Sequence, residues 1–309
     1  KFFESCMSGE PLVSILMNCY NGETYLRESL NSVINQTYKN WELIFWDNQS
    51  KDESVNIFKS YNEKRFKLYK AEKHTILYEA RNLAIQKTSG EFIAFLDTDD
   101  IWLPDKLTKQ VELFKKKEVG FVYSNFWILN DNLIFKKKIF RRKKLPTGNT
   151  LKSILLDYVV GLSTIIVRKE KIKNINNVFN TNYDLLADFD FVINFSVNNN
   201  FGCIQKPTTY IRVHEKSLSH VSIDQLIEQS KDWYNEAKSN SILSSYKELK
   251  NVYEKILYDE IKQIILKGKF FKSFYKIFKF PFGIKKIKLF LLLFLPKKIF
   301  LLLKKFNYL

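Results

Sequence analysis

Cysteine is nearly missing from this 309-residue chain. Its three thiols, Cys6, Cys19 and Cys203, have no paired spacing. That excludes a disulfide framework or a zinc–cysteine site and fits a reducing compartment. Histidine is as scarce, and His74, His214 and His220 lack metal-ligand spacing by themselves. There is no internal repeat and no Gly/Ser linker. The N-terminus has no basic-then-apolar signal pattern. The chain begins at Lys1, either as a fragment or ahead of a true start at Met7. Long apolar runs are absent too: the longest in the tail, Leu289 to Leu295, is seven residues before Pro296-Lys297-Lys298 interrupts it. A membrane-spanning helix needs about 20 such residues. Finally, no Asp or Glu follows Glu260.

What is present is globular material with one asymmetry. Apolar residues make up 45% of the chain, enough for one large domain or a domain plus an appendage. Of the net charge of +17, thirteen lysines beyond Glu260 supply thirteen, leaving +4 on the first 260 residues. The main body is near neutral, and the tail is cationic and rich in Phe, Leu and Ile.

Through the first 130 residues strand and helix patterns alternate. Strand-like runs at Leu12–Met17, Trp41–Trp46, Phe66–Tyr69 and Glu91–Leu96 are separated by helical spacing over Glu23–Asn35, Asp52–Ser60 and Leu77–Thr88. Such alternation implies right-handed crossovers and a mostly parallel sheet. Ligands of such sheets bind outside the carboxyl ends of the strands. Asn18, Asp47 and Asp97 stand at those ends, so they are expected to share one crevice. Beyond Gly120 the pattern predicts strands Phe121–Leu129 and Leu133–Phe140 around a turn at Asn130-Asp131-Asn132, then a helix Thr150–Asp157 and a strand Ser163–Arg168. A helix Asp184–Asn198 burying Leu185, Phe189, Val192 and Phe195 follows, then an extended Ile204–Val213. A boundary near Val221 gives a domain at 1–220 and a helical, basic amphipathic appendage at 221–309.

The apolar run Phe92–Leu96 ends in Asp97-Thr98-Asp99-Asp100. Three carboxylates in four positions repel one another and desolvate badly unless partnered. Hard oxygen donors at a strand's end suit Mg²⁺ or Mn²⁺, ions that commonly carry phosphates. The plainer alternative is an acid cluster that caps the next helix, with Asp99 or Asp100 as N-cap.

Several stretches together resemble the inverting family 2 glycosyltransferases. They are Val13-Ser14-Ile15-Leu16-Met17-Asn18-Cys19-Tyr20-Asn21, Gln36-Thr37-Tyr38, Trp46-Asp47-Asn48-Gln49-Ser50, Ala80-Arg81-Asn82, Gly90 through Asp100, and Tyr210-Ile211-Arg212-Val213-His214. They run in family order over about 210 residues. The resemblance implies an α/β, GT-A type, single Rossmann-like nucleotide-diphospho-sugar transferase fold, with the helical basic tail outside it. It also implies transfer of one sugar from a nucleotide-sugar, a UDP-sugar first among them, to a hydroxyl of a surface-glycan or lipid-linked acceptor. No Gln-X-X-Arg-Trp segment is present, which disfavours a processive synthase.

Under this resemblance Tyr20 takes the nucleobase-stacking place, with Asn18 and Asn21 beside it. Asp47 and Asn48 match an acidic pair that contacts base and ribose, although Asn48 is uncharged. Arg81 matches a position near the donor's phosphates or sugar; otherwise it is a helix-surface charge. Asp97 and Asp99 match the Asp-X-Asp motif. Asp99 would ligate the Mn²⁺ or Mg²⁺ that bridges the phosphates, and Asp97 would hold ribose or metal. Asp188 takes the general-base position, with Asp190 and Asp184 as rivals, and Ala187 replaces the usual acid there. Arg212 would face the phosphates, and His214 would ligate the metal or touch the diphosphate. Glu215-Lys216-Ser217-Leu218-Ser219 matches a loop that orders over the donor.

The tail from Lys269 to Leu309 interleaves Lys with Phe, Leu and Ile, a composition drawn to an anionic membrane surface. A docking helix is the alternative. Nucleic acid is not expected, because the segment is Leu-rich and nearly Arg-free. The expected location is cytoplasmic, peripheral on the inner face of the cell membrane. Two other classes stay open: a non-catalytic member that binds nucleotide-sugar or glycan, and a basic membrane- or nucleic-acid-binding protein whose acids are structural.

Overall fold

The computed structural model describes residues 9–130, 137–173, 177–214 and 223–296. Two compact units emerge. The first is the chain up to Leu151 together with Val159–His214, and the second is Lys152–Tyr158 with the residues after His214.

The first unit is built on strands β1 (Val13–Cys19), β2 (Trp41–Asp47), β3 (Phe66–Lys70), β4 (Phe92–Phe95), β5 (Ile101–Trp102), β6 (Val119–Leu129), β7 (Lys137–Ile139), β8 (Ile166–Arg168) and β9 (Asn200–Arg212). They form one sheet in the order β3-β2-β1-β4-β8-β6-β9-β5, with β7 beside β6. The four strands from β3 to β4 run parallel, as alternation predicts. β8 then enters antiparallel between β4 and β6, while β6 and β9 are parallel to each other. Every residue of β1 and β2 is buried, because helices cover both faces of a parallel sheet. The helices of this unit are α1 (Glu23–Ile34), α2 (Ser54–Lys59), α3 (Leu77–Ile85), α4 (Lys106–Leu113) and α6 (Ala187–Asn198), while α5 (Leu151–Leu156) belongs, but for its first residue, to the second unit. Leu26, Leu30 and Val33 of α1 pack into the same apolar cluster as Val13, Ile15, Met17, Leu43 and Phe45.

A charge lies inside this sheet. Glu42, in mid-β2, accepts from the Ser14 hydroxyl, from the Ser89 N–H at 2.7 Å and from the Lys67 ammonium. Burial alone would raise its pKa, but these donors outweigh burial and bring it down to about 2. Gly90 makes the arrangement possible: a Cβ there would lie 2.6 Å from the Leu12 carbonyl.

Some expectations need correction. The helix after the acid cluster starts at Lys106 with Asp105 at its N-cap position, so neither Asp99 nor Asp100 caps it. Pro104 and the two-residue strand β5 intervene, and Asp100 N–H instead bonds back to the Asp97 carbonyl. Helix α6 begins at Ala187, not Asp184, and its apolar face is set by Phe191, Val192 and Phe195, with Phe189 only half-buried. The turn at Asp131 and Asn132, the loop at Glu215–Ser219, Cys6, Met7 and His220 lie outside the described residues.

The second unit is helical: α7 (Ile223–Ser239), α8 (Leu249–Leu266), α9 (Phe270–Lys279) and α10 (Ile284–Phe294). Glu260 bridges α7 and α9 through Lys231 at 2.7 Å and Lys276 at 2.9 Å. Ile261, Ile277, Phe280 and Leu289 form a small core among α8, α9 and α10. Among the described residues no helix is long and apolar enough to cross a membrane.

Candidate active site

The carboxyl ends of β1, β2 and β4 lie side by side, with Cys19 opposite Asp47 and the Leu96 N–H bonded to the Leu16 carbonyl. Three segments named from sequence thus meet at one edge. The turn after β1 is tightly built. Asn21 sits at φ 53°, a left-handed conformation that Asn tolerates. Its Oδ1 accepts from the Lys51 N–H at 2.8 Å, and its own N–H donates to Ser50 Oγ at 3.0 Å. Gly22 is required by the approach of the acidic loop, since a Cβ there would lie 2.9 Å from Thr98 Oγ1.

Asn18 is the most exacting feature of this edge. It is buried, and among the described residues neither its Oδ1 nor its Nδ2 has a hydrogen-bond partner. An unmade pair of this kind costs about 1–3 kcal/mol per group and marks a place for a polar ligand. Tyr20 beside it is half exposed, its ring 4.3 Å from that of His74. His74 Nδ1 lies 2.9 Å from the Asn48 carbonyl oxygen. Asp47 is buried and accepts from the Ser50 N–H at 3.1 Å. Asn48 has both side-chain atoms engaged: Nδ2 donates to the Thr75 carbonyl at 2.7 Å, and Oδ1 accepts from the Thr75 N–H at 3.2 Å. An aspartate could not make the first of these bonds. Asn48 therefore braces the segment that carries His74.

The acidic loop divides its charges among different partners. The Asp97 N–H donates to Ser163 Oγ at 3.1 Å, and its carboxylate accepts from Arg81. Arg81 is buried, not a helix-surface charge. Burial opposes its charged form, but Asp97, Tyr78 and Asp188 outweigh burial and raise its pKa. Asp99 Oδ2 lies 3.0 Å from His214 Nε2. Burial first, and then the charge of Asp97, push the Asp99 carboxyl up. Asp100 is fully inside and accepts from the Arg212 N–H at 2.9 Å, with its pKa pushed well up by burial and by Asp99 and Asp97. Arg212 closes the edge. Its Nε donates to the Asp99 carbonyl at 3.1 Å, its Nη2 reaches Glu28 at 2.9 Å, and its guanidinium covers the Tyr25 ring at 4.2 Å.

Asp188 stands in the first turn of α6. Burial raises its pKa, with Arg81 pulling the other way and Asp97 adding to the rise. It is therefore coupled to the same arginine that holds Asp97. The rival Asp190 accepts from Asn194 Nδ2 at 2.8 Å along its own helix. Ala187 is completely buried, where an acid would need a partner. The segment ahead of α6 is held by Asn82, whose Nδ2 donates to the Phe179 carbonyl at 2.8 Å and whose Oδ1 accepts from the Phe179 N–H at 2.9 Å. Tyr25, Glu28, Tyr78 and Ser163 carry parts of this geometry without a sequence signal beyond their place in amphipathic helices or loops, whereas Asn82 stood in the Ala80-Arg81-Asn82 stretch.

Among the described residues no three of His, Cys, Asp and Glu are grouped as a metal cage. Asp99 and His214 are nonetheless paired at a distance that two ligands of one ion can share. Mg²⁺ and Mn²⁺ take one or two carboxylates and complete their shell with phosphate oxygens and water. The donor set fits such an ion, with Asp97 already committed in part to Arg81.

Residues 14–174 match the family model described as "Glycosyl transferase family 2". The chain is 37% identical over 156 residues to an Escherichia coli protein, the UDP-Glc:alpha-D-GlcNAc-diphosphoundecaprenol beta-1,3-glucosyltransferase WfgD, covering 50% of this chain and 60% of WfgD. It thus spans less than two thirds of that relative. WfaP, of the same description and organism, is 30% identical over 219 residues, covering 71% of this chain and 84% of WfaP. Among solved structures, S. aureus TarS 1-349 in complex with UDP-GlcNAc superposes with a TM-score of 0.63 at 21% identity, over 80% of this chain and 72% of that one. The mannosyltransferase PcManGT from Pyrobaculum calidifontis, in complex with GDP-Man and Mn2+, gives 0.58 at 16% identity over 76% and 66%. These structural likenesses bear on the fold, which is of the GT-A type.

Proposed function

Because the chain belongs to glycosyl transferase family 2, we propose that its first unit is an inverting glycosyltransferase that moves one sugar from a nucleotide-sugar to an acceptor hydroxyl. The observation that carries this reading is the meeting of Asp97, Asp99 and Asp188 with Arg81, Arg212 and His214 around one edge of the sheet. Tyr20 is exposed to stack on a base, and the unpartnered amide of Asn18 and the buried Asp47 line the way to the ribose. Arg212, held by Glu28 and Tyr25, would face the diphosphate. Asp99 and His214 would hold a Mn²⁺ or Mg²⁺ ion, which neutralises charge on the leaving diphosphate when bound.

Asp188 takes the acceptor's hydroxyl proton as that oxygen bonds to the anomeric carbon. The bond from this carbon to the β-phosphate oxygen breaks, and its electron pair leaves with the nucleoside diphosphate. Attack from the side opposite the leaving group inverts the centre. A carboxylate whose pKa is raised by burial is the better proton acceptor near neutral pH. Both Escherichia coli relatives are named for UDP-Glc and for a diphosphoundecaprenol-linked acceptor. A UDP-hexose and a sugar diphospholipid are accordingly the first classes to try.

The test is nucleoside-diphosphate release from a panel of nucleotide-sugars, with and without Mn²⁺, by wild type and Asp99→Ala. We expect release that needs the ion and falls about 10²–10³-fold in the variant. Release indifferent to both rejects the mechanism.

A further inference from the structure

The large apolar side chains left in water are concentrated in one part of the molecule. Phe271, Tyr275, Phe278 and Phe282 are 86%, 58%, 70% and 92% exposed, and Ile284 and Leu291 are 75% and 64% exposed. All belong to α9, α10 or the turn between them. At about 100° per residue, Phe271, Phe274, Tyr275 and Phe278 share one stripe of α9, spaced i, i+3, i+4 and i+7. Its buried residues, Ser273 and Ile277, lie on another stripe and face the small core. Lys272, Lys276 and Lys279 fill the third, on one flank of the aromatics. Helix α10 repeats the device, with Ile284, Ile287, Leu291 and Phe294 exposed at i, i+3, i+7 and i+10 while Leu289 and Leu292 are buried. The two helices meet through rings in and beside these stripes, Phe270 with Phe294 at 5.9 Å and Phe274 with Phe290 at 6.0 Å.

We infer that this paired helix face is a preformed membrane-binding surface that inserts its aromatic stripe into an anionic lipid bilayer. A contiguous apolar face in water calls for an occupant. Its chemistry is set by the charges beside it. The sequence from Ile261 onward has thirteen Lys, no Arg, no Asp and no Glu. Lysines flanking a Phe-rich stripe reach back to lipid phosphates while the rings enter the acyl boundary. The inner core and the Lys276–Glu260 bridge hold α9 against its neighbours before any lipid arrives, so little ordering accompanies docking. Lys286 donates to the Phe278 and Phe280 carbonyls at 2.6 and 2.9 Å, which fixes the turn that presents Phe282. The surface is independent of the catalytic reading, and its test uses neither donor nor acceptor.

Flotation of the full chain with vesicles tests it. Vesicles of pure phosphatidylcholine are compared with vesicles in which phosphatidylglycerol replaces part of the lipid. We expect flotation with the anionic vesicles, and a partition at least about tenfold weaker with the neutral ones. Phe271→Ser with Phe278→Ser and Phe282→Ser should weaken it by about tenfold or more with the helical circular dichroism unchanged. Lys272→Gln with Lys285→Gln and Lys288→Gln, which leaves every aromatic in place, should lower binding to the anionic vesicles and narrow the gap between the two lipids. Equal flotation on both vesicles, no flotation at all, or flotation indifferent to both variants overturns the proposal. So does a dimer in solution that the Phe variants dissolve, because the occupant is then a second copy.

Discussion

The two units treat charge and apolar surface in opposite ways. In the first, ionisable side chains are partnered: Glu42 by Lys67, Arg81 by Asp97, and Asp99 by a hydrogen bond to His214. Its large apolar side chains are almost all covered, Tyr20 being the marked exception within the candidate site. In the second, the rings are outside, and lysines there far outnumber the acids that could answer them. Buried, matched charges hold one geometry, which is what proton transfer and phosphate binding need. Exposed rings and lysines in excess of the acids add little internally and leave their binding energy for something else. The same chain thus separates a site that must be preorganised from a surface that must stay available.

That contrast breaks most sharply at Asp188. If it is the base, Asp188→Asn should lower kcat about 10²–10⁴-fold while donor affinity, measured by calorimetry, stays near wild type. Donor affinity lost in step with turnover would make Asp188 a binding residue. Arg81→Met is the sharper companion. Arg81 holds the Asp188 pKa down against burial, so its removal should move the acidic limb of the pH–rate profile to higher pH. A limb that stays in place would deny the coupling.

Much of the first unit was legible because its strands are continuous apolar runs that end in polar residues. β1, β2 and β4 therefore lie close to where the sequence puts them, and the meeting of their carboxyl ends follows from parallel topology. What was not legible depends on partners distant in the chain. Nothing local to Ile166–Arg168 says that this strand enters antiparallel between β4 and β6. For Arg81 the sequence leaves a helix-surface charge open beside the donor-binding place, because the carboxylates that let it be buried arrive 16 and 107 positions later. Asn48 reads as a lost acid until Thr75 is seen to need both an acceptor and a donor. In the tail the sequence shows lysines and rings but not which rings face inward. Ile277 and Phe278 are neighbours with opposite fates.

A middle-sized effect belongs to Glu42. Its pKa is about 2 in the folded protein against an ordinary 4.5. A carboxylate depressed by folding contributes stability that is present above its unfolded pKa and lost as pH falls through the folded one. Stability should therefore drop from about pH 4.5 toward pH 2. Glu42→Gln should cost about 2–3 kcal/mol at neutral pH and flatten that acid limb. Urea titrations at neutral pH and near pH 3 measure both. An unchanged acid limb in the variant would place the loss elsewhere.

The smallest effect tests the second unit most directly. Phe278 is 70% exposed and Ile277 not at all, although they are adjacent in one helix. Truncating a buried Ile costs about 2–5 kcal/mol, whereas a surface substitution stays within about 0.5 kcal/mol. In thermal melts Ile277→Ala should lower the midpoint of the helical unit by several degrees, and Phe278→Ser should leave it nearly unchanged. A large aromatic that adds nothing to its own fold is retained at a solubility cost, which is why its use must be sought outside the chain. Should Phe278→Ser destabilise as much as Ile277→Ala, the ring would be part of the core, and the division of labour between the two units would have to be redrawn.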